Sequence, residues 1–236
     1  MKAFLRIAAL FAAGLASLPA GASPVTLSDA ARSVTVWHAG SGGGIFGPNS
    51  PSGAAGSFAD TVGVSIGGIA VDASQSSGID AGSGIFSGKG AVSVGFSVQN
   101  ADEVVTQSYY RASFTLPTAM NYVLRGMVGA YMDGGLGMGS VALVDHGAAS
   151  EVFQFITPGS WDALSFSSSG LLAAGSYSLL AGAMISPDHA QGLDAYMGGS
   201  AEYEFYFEVA AVPEPSTTML LLAGLGLLGF AARRRV

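Results

Sequence analysis

Three histidines, His38, His146 and His189, are the only imidazoles this chain offers for acid–base or metal chemistry, and no cysteine accompanies them. None stands at the H-x-x-x-H or His–carboxylate spacing of a zinc site, and no G-x-S-x-G elbow presents a nucleophilic serine. Asp145-His146 and Asp188-His189 lie in turn-like sequences, where an aspartate is expected to accept hydrogen bonds from its own backbone. Gly42, Gly44 and Gly47 satisfy G-x-G-x-x-G by letter. A dinucleotide site needs a helix N-terminus there, whereas Pro48-Asn49-Ser50-Pro51 follow. Gly88-Lys89 ends like a phosphate loop, but Ser83 stands where its first glycine belongs and Gly90 replaces the hydroxyl residue. These patterns give no catalytic residue and no cofactor, so the expectation is a protein that is not an enzyme.

Two binding chemistries remain. Asp188 and Asp194, with neighbouring carbonyls, are the best candidates for a calcium ion, although no D-x-D-x-D-G loop is present. Trp37 and Trp161, with Tyr109, Tyr131 and Tyr196, are candidates for a sugar-stacking platform, since aromatic faces pack on the apolar faces of sugars. An ice-binding face would need a threonine ladder at every second position, and none is present.

Positioning such residues falls to strands. Charged residues make up 11% of the chain, against about 25% in an ordinary soluble domain. There are 35 glycines and 30 serines among 236 residues. Tyr203, Phe205, Phe207 and Val209 alternate with Glu202, Glu204, Tyr206 and Glu208, and period two puts the two sets on opposite faces of a sheet. Tyr110, Ala112, Phe114 and Leu116 form a second such row, and Val92, Val94, Phe96 and Val98 a third. Weaker strands are expected at 34–37, 61–71, 121–131, 141–144, 151–156, 161–166 and 177–185, with turns at Asp133-Gly134-Gly135, Asp145-His146-Gly147, Thr157-Pro158-Gly159 and Ala174-Gly175. The segments 40–59 and 74–89, rich in glycine and serine, read as long loops. The expectation is an all-β, antiparallel β-sandwich, jelly-roll-like, over residues 23–212. That body holds four basic and fifteen acidic residues, a net charge of −11, which excludes nucleic acid as a partner. It would also repel an acidic polysaccharide unless divalent cations bridged the two.

The two ends are different. Lys2 and Arg6 precede an apolar run from Ile7 to Leu18, and Ala20-Gly21-Ala22 supplies the small-x-small pattern of signal peptidase. Residues 1–22 therefore read as a signal peptide, helical in its apolar part, cut between Ala22 and Ser23. At the other end, Pro213-Glu214-Pro215 precedes an uncharged stretch, read as a short transmembrane helix over 217–232, and Arg233-Arg234-Arg235 follow as a cytoplasmic stop-transfer anchor. Sixteen helical residues rise about 24 Å, short of a hydrocarbon core of about 30 Å, so the span suits temporary residence.

This order of motif, short Leu/Gly-rich stretch and basic end over 213–236 resembles the PEP-CTERM sorting signal of Gram-negative bacteria, a tail also labelled an ice-binding protein C-terminal domain. The resemblance implies recognition of Pro213, Glu214 and Pro215 by exosortase, a membrane-embedded cysteine transpeptidase-like enzyme that removes the helix. It further implies transient inner-membrane anchoring, then placement at the cell surface or in the extracellular matrix. Since such substrates accompany exopolysaccharide and biofilm genes, the expected role is structural or adhesive in that matrix. Two other functions stay open on the residues: a carbohydrate-binding module, and a secreted hydrolase whose site the sequence hides.

Overall fold

The computed structural model describes residues 25–39, 44–46, 55–66, 69–97, 103–133, 135–158, 163–187, 196–212 and 224–225. They form twelve strands: β1 (Thr26–Ala39), β2 (Gly44–Phe46), β3 (Gly56–Ile66), β4 (Ile69–Asp80), β5 (Ile85–Ser97), β6 (Glu103–Leu116), β7 (Met120–Met132), β8 (Gly135–Asp145), β9 (Ser150–Pro158), β10 (Leu164–Leu172), β11 (Gly175–Pro187) and β12 (Tyr196–Ala211). One six-stranded sheet runs β2-β1-β6-β11-β8-β9, the other β10-β7-β12-β5-β4-β3, and every pairing is antiparallel. The all-β expectation holds. Each predicted helix lies outside the described residues, apart from the helical pair Gly224 and Leu225. No described helix is long and apolar enough to cross a membrane.

The strongest alternating rows form the interface between the sheets. Tyr110, Ala112, Phe114 and Leu116 of β6 are buried, as are Tyr203, Phe205, Phe207 and Val209 of β12. Phe114 meets Phe86 at 5.1 Å and Phe207 at 5.6 Å between ring centroids, and Tyr110 meets Phe205 at 4.9 Å. A second aromatic group closes one side of the sandwich, where Phe153 and Phe155 of β9 reach Phe166 of β10. These tilted contacts join one sheet to the other, and pairs of this geometry add to the area they bury.

Two expected loops are corrected. The segment 74–89 is the heart of a hairpin: β4 runs through Asp80 and β5 starts at Ile85, around a turn of residues 81–84. Gly84 takes a positive φ of 73°, and the Asp80 carboxylate accepts the Ser83 N–H at 3.2 Å. The alternation was hidden because Gln75 and Ser77 occupy inward positions of β4, at 3% and 7% exposure. In the segment 40–59, β2 and the first residues of β3 are likewise strand. The expected strand 61–71 is instead two strands, β3 and β4, paired from Gly56↔Ile79 to Ile66↔Ile69. The expected strand 161–166 begins at Leu164 and continues through Ser167–Ser169 to Leu172, because Phe166 and Leu172 face inward while those serines cover an edge strand. Thr157 and Pro158, expected in a turn, end β9, and the buried Thr157 hydroxyl accepts the Gly139 N–H at 3.3 Å.

Gly126 of β7 shows how tight the sheet is. A Cβ there would lie 2.0 Å from the backbone oxygen of Glu204 and 2.8 Å from the Phe166 ring. Backbone of a central strand cannot move aside cheaply, so Gly126→Ala is expected to cost about 3 kcal/mol, the upper end for overpacking. A urea midpoint unchanged from wild type would contradict this.

Burial also sets a pH limit. The phenols of Tyr110 and Tyr203 are pushed far above the ordinary tyrosine range, chiefly by desolvation, which for Tyr203 outweighs the opposing effect of the Ser108 hydroxyl at 3.4 Å. An unfolded chain ionises its tyrosines near pH 10, whereas the folded chain holds these two neutral. Above about pH 10 the folded state therefore binds more protons, and stability falls as pH rises; below it these groups contribute no slope. Denaturant midpoints at pH 8, 10 and 11 are expected to fall only at the two higher values, and Tyr203→Phe is expected to flatten the fall.

Candidate functional site

The outward positions of the two sheets differ in chemistry. On the β10-to-β3 sheet they carry Asp72, Lys89, Glu202, Glu204, Arg125 and Glu208 among small serines and alanines. Lys89 and Glu204 approach to 3.6 Å as an exposed ion pair, and the Arg125 guanidinium lies over the Tyr206 ring at 4.9 Å. A shallow depression of about 330 Å³ lies between Thr61, Asp72, Ser74, Ser93, Ser200 and Glu202.

The outward face of the β2-to-β9 sheet is uncharged at its centre, with Asp29, Arg111 and Glu151 around it. A trough of about 240 Å³ crosses β6, β11, β8 and β9, bounded by Gln107 and Tyr109 on one side, Gln154 and Ile156 on the other, with Met138 and Met184 at one end. Its floor is made by Gly182 of β11, which pairs with Tyr109 and Ser140. A Cβ on Gly182 would meet only ordinary van der Waals contacts, at 3.6 Å and 3.8 Å, so a side chain could be added there without displacing a neighbour. Gln154 is fixed by donating its amide N–H to Glu151 at 2.9 Å, and at the rim Arg111 is paired with Asp29.

The aromatic candidates divide between the faces. Trp37, 38% exposed, and Tyr109, half-buried, share the outward face of the β2-to-β9 sheet. Trp37 pairs with Val105, and Tyr109 lies four residues further along β6, about 14 Å from Trp37 by strand geometry. Tyr131 pairs with Ser200 on the other sheet and therefore cannot join them. Trp161, and the side chain of Tyr196, lie outside the described residues, as do Asp188, Asp194 and His189. Among the described residues no group of three or more His, Asp or Glu is placed to hold a metal ion.

His146 lies 2.8 Å from the Ser178 hydroxyl through Nε2, the separation of a base and its nucleophile. Among the described residues no carboxylate completes such a set, and the neighbouring Asp145 carboxylate instead accepts the backbone N–H groups of Gly147, at 2.7 Å, and Ala148. Ser178 is 5% exposed and is shared with Ser113 at 2.8 Å, which fits a hydroxyl ladder between strands.

The signal and sorting residues Ala20, Ala22, Ser23, Pro213, Glu214, Pro215 and Arg233–Arg235 lie outside the described residues. β12, a central strand of its sheet, ends at Ala211, two residues before Pro213. Residues 211–235 match the family model of the PEP-CTERM protein-sorting motif. The chain carries this sorting signal. A PEP-CTERM motif is the recognition signal of exosortase, so export and sorting to the cell surface follow for the protein.

No curated protein matches the chain. Among solved structures it is similar to the enzymatically active domain of bacteriophage CBA120 tailspike protein 4, at 11% identity and a TM-score of 0.25, over 65% of this chain and 19% of that one. The chain thus matches about a fifth of that domain. It is also similar to TmCBM61 in complex with β-1,4-galactotriose, at 12% identity and a TM-score of 0.22, over 51% of this chain and 71% of that one. Likeness this slight bears no functional weight.

The residues that sequence reading missed are Gln107, Gln154, Met138, Met184 and Gly182. Their one signal was outward parity: Met138 and Met184 are apolar at positions where alternation calls for polar side chains.

Proposed function

We propose that this PEP-CTERM protein is a non-enzymatic structural or adhesive component of an exopolysaccharide matrix. It is held briefly in the inner membrane by 217–232 and then cut free near Pro213. The observation that carries this reading is the sorting motif beginning at the last residue of β12. Val25 precedes β1 at the end of the sandwich where β6 turns into β7, and Ala211 pairs with Met120 at that same end. Both termini thus leave together, and a tethered sandwich would stand with this end toward the membrane.

The connectivity supports a carrier of surface contacts. From β5 to β12 the strands read β5-β12-β7-β10 over β6-β11-β8-β9, the arrangement of an eight-stranded jelly roll, with β1–β4 widening both sheets. Such a body leaves two broad faces free for partners.

Intact mass of the protein recovered from medium and from membranes tests the proposal. The surface form is expected to start at Ser23 and to lack Arg233–Arg235, and to fractionate with polysaccharide. Mature protein that keeps those arginines in a host possessing exosortase would overturn it. Robust turnover of a glycan or peptide substrate by the mature protein would overturn the non-enzymatic part and favour a hydrolase.

A further inference from the structure

We infer that the outward face of the β2-to-β9 sheet binds a neutral polysaccharide, which lies across the trough between Tyr109 and Ile156 and extends toward Trp37. This deepens the matrix reading above and rests on it for the source of the polymer. Three observations select the ligand class. First, the trough lining carries no ionised side chain in a body whose net charge is −11. The bordering carboxylates of Asp29 and Glu151 are engaged by Arg111 and Gln154, so an anionic chain would meet repulsion without a cation in return. Second, the lining combines what a sugar ring needs. The Tyr109 ring and the Met138 and Met184 side chains offer apolar surface, and Gln107, Gln154 and the Ser140 hydroxyl offer donors and acceptors. Third, Gly182 puts no side chain at the centre of the trough floor, and Trp37 stands on the same face some 14 Å from Tyr109, spacing that suits an extended polymer rather than a compact ligand.

Affinity electrophoresis of the mature protein through gels containing glucan, galactan, mannan or, separately, alginate tests this. At least one neutral polymer is expected to retard the protein. Tyr109→Ala and Gly182→Leu are each expected to weaken that retardation about tenfold, the loss of one good stacking or shape contact. Gly182→Leu places a side chain in the trough, and an unchanged melting temperature would show that it blocks the trough without unfolding the sheet. Tyr206→Ala, on the opposite face, is expected to leave binding unchanged.

The inference is overturned by absence of retardation in all three neutral gels, by retardation that both trough variants retain, or by preferential binding of alginate without divalent cations. It is also overturned if light scattering shows a dimer that Gly182→Leu dissolves, since the trough would then be covered by a second copy. Trimming of both ends of Tyr109→Ala, read by intact mass, is expected to match wild type, while its co-fractionation with polysaccharide falls. A protein found outside the matrix with its trough still binding glycan would count against the matrix reading alone.

Discussion

Replacing Pro213, Glu214 and Pro215 by alanine is expected to leave export intact and to hold the full-length chain in the inner membrane. The matched motif begins at Ala211, where β12 ends, and its sequence predicts an extended backbone ahead of the apolar run. Two prolines enforce that: each fixes φ, removes an N–H donor, and biases the preceding residue away from helix. Three alanines, the best helix formers, would let helix propagate back from the apolar run toward Ala211 and erase both the extended shape and the carboxylate. Removal of the apolar run then fails, and the effect is all-or-none. Cell fractionation with intact mass reads it directly, and equal processing of variant and wild type would reject the assignment of the motif.

Phe207→Ala is the second large effect. Phe207 is fully buried and touches Phe86 at 5.7 Å, Phe114 at 5.6 Å and Tyr122 at 6.2 Å, so its ring is the hub through which the central strands of both sheets meet. Truncation of such a ring costs about 3–5 kcal/mol, because neighbours held by two sheets collapse poorly into the cavity. Against a total of about 5–15 kcal/mol this removes a large share of the stability, and a fall in melting temperature of about 10 °C or more is expected. A fall of only one or two degrees would show that the sheets do not depend on this cluster. Cysteine offers no reserve, since the chain has none.

Much of this protein was legible in its residues. The rows Tyr110–Leu116 and Tyr203–Val209 alternate large apolar with polar side chains, and a period of two has one interpretation once a core exists, so the central strands and their inward faces followed directly. The sorting tail was legible for a related reason: it is local, and its prolines, apolar run and arginines act through their order along the chain rather than through distant contacts. Where inward positions are polar, as Gln75 and Ser77 are in β4, local pattern gave a loop and only pairing with β3 and β5 made a strand. The candidate trough belongs wholly to the second class. Tyr109, Ser140, Ile156 and Gly182 come from four strands as much as 73 residues apart, and register alone sets them in one row. Register is the product of long-range hydrogen bonding and of which faces bury apolar surface. Sequence by itself therefore determined the destination of the protein and the period of its strands. The tertiary structure decided which outward side chains share a face, since a surface assembled from four strands exists only when the sheet does.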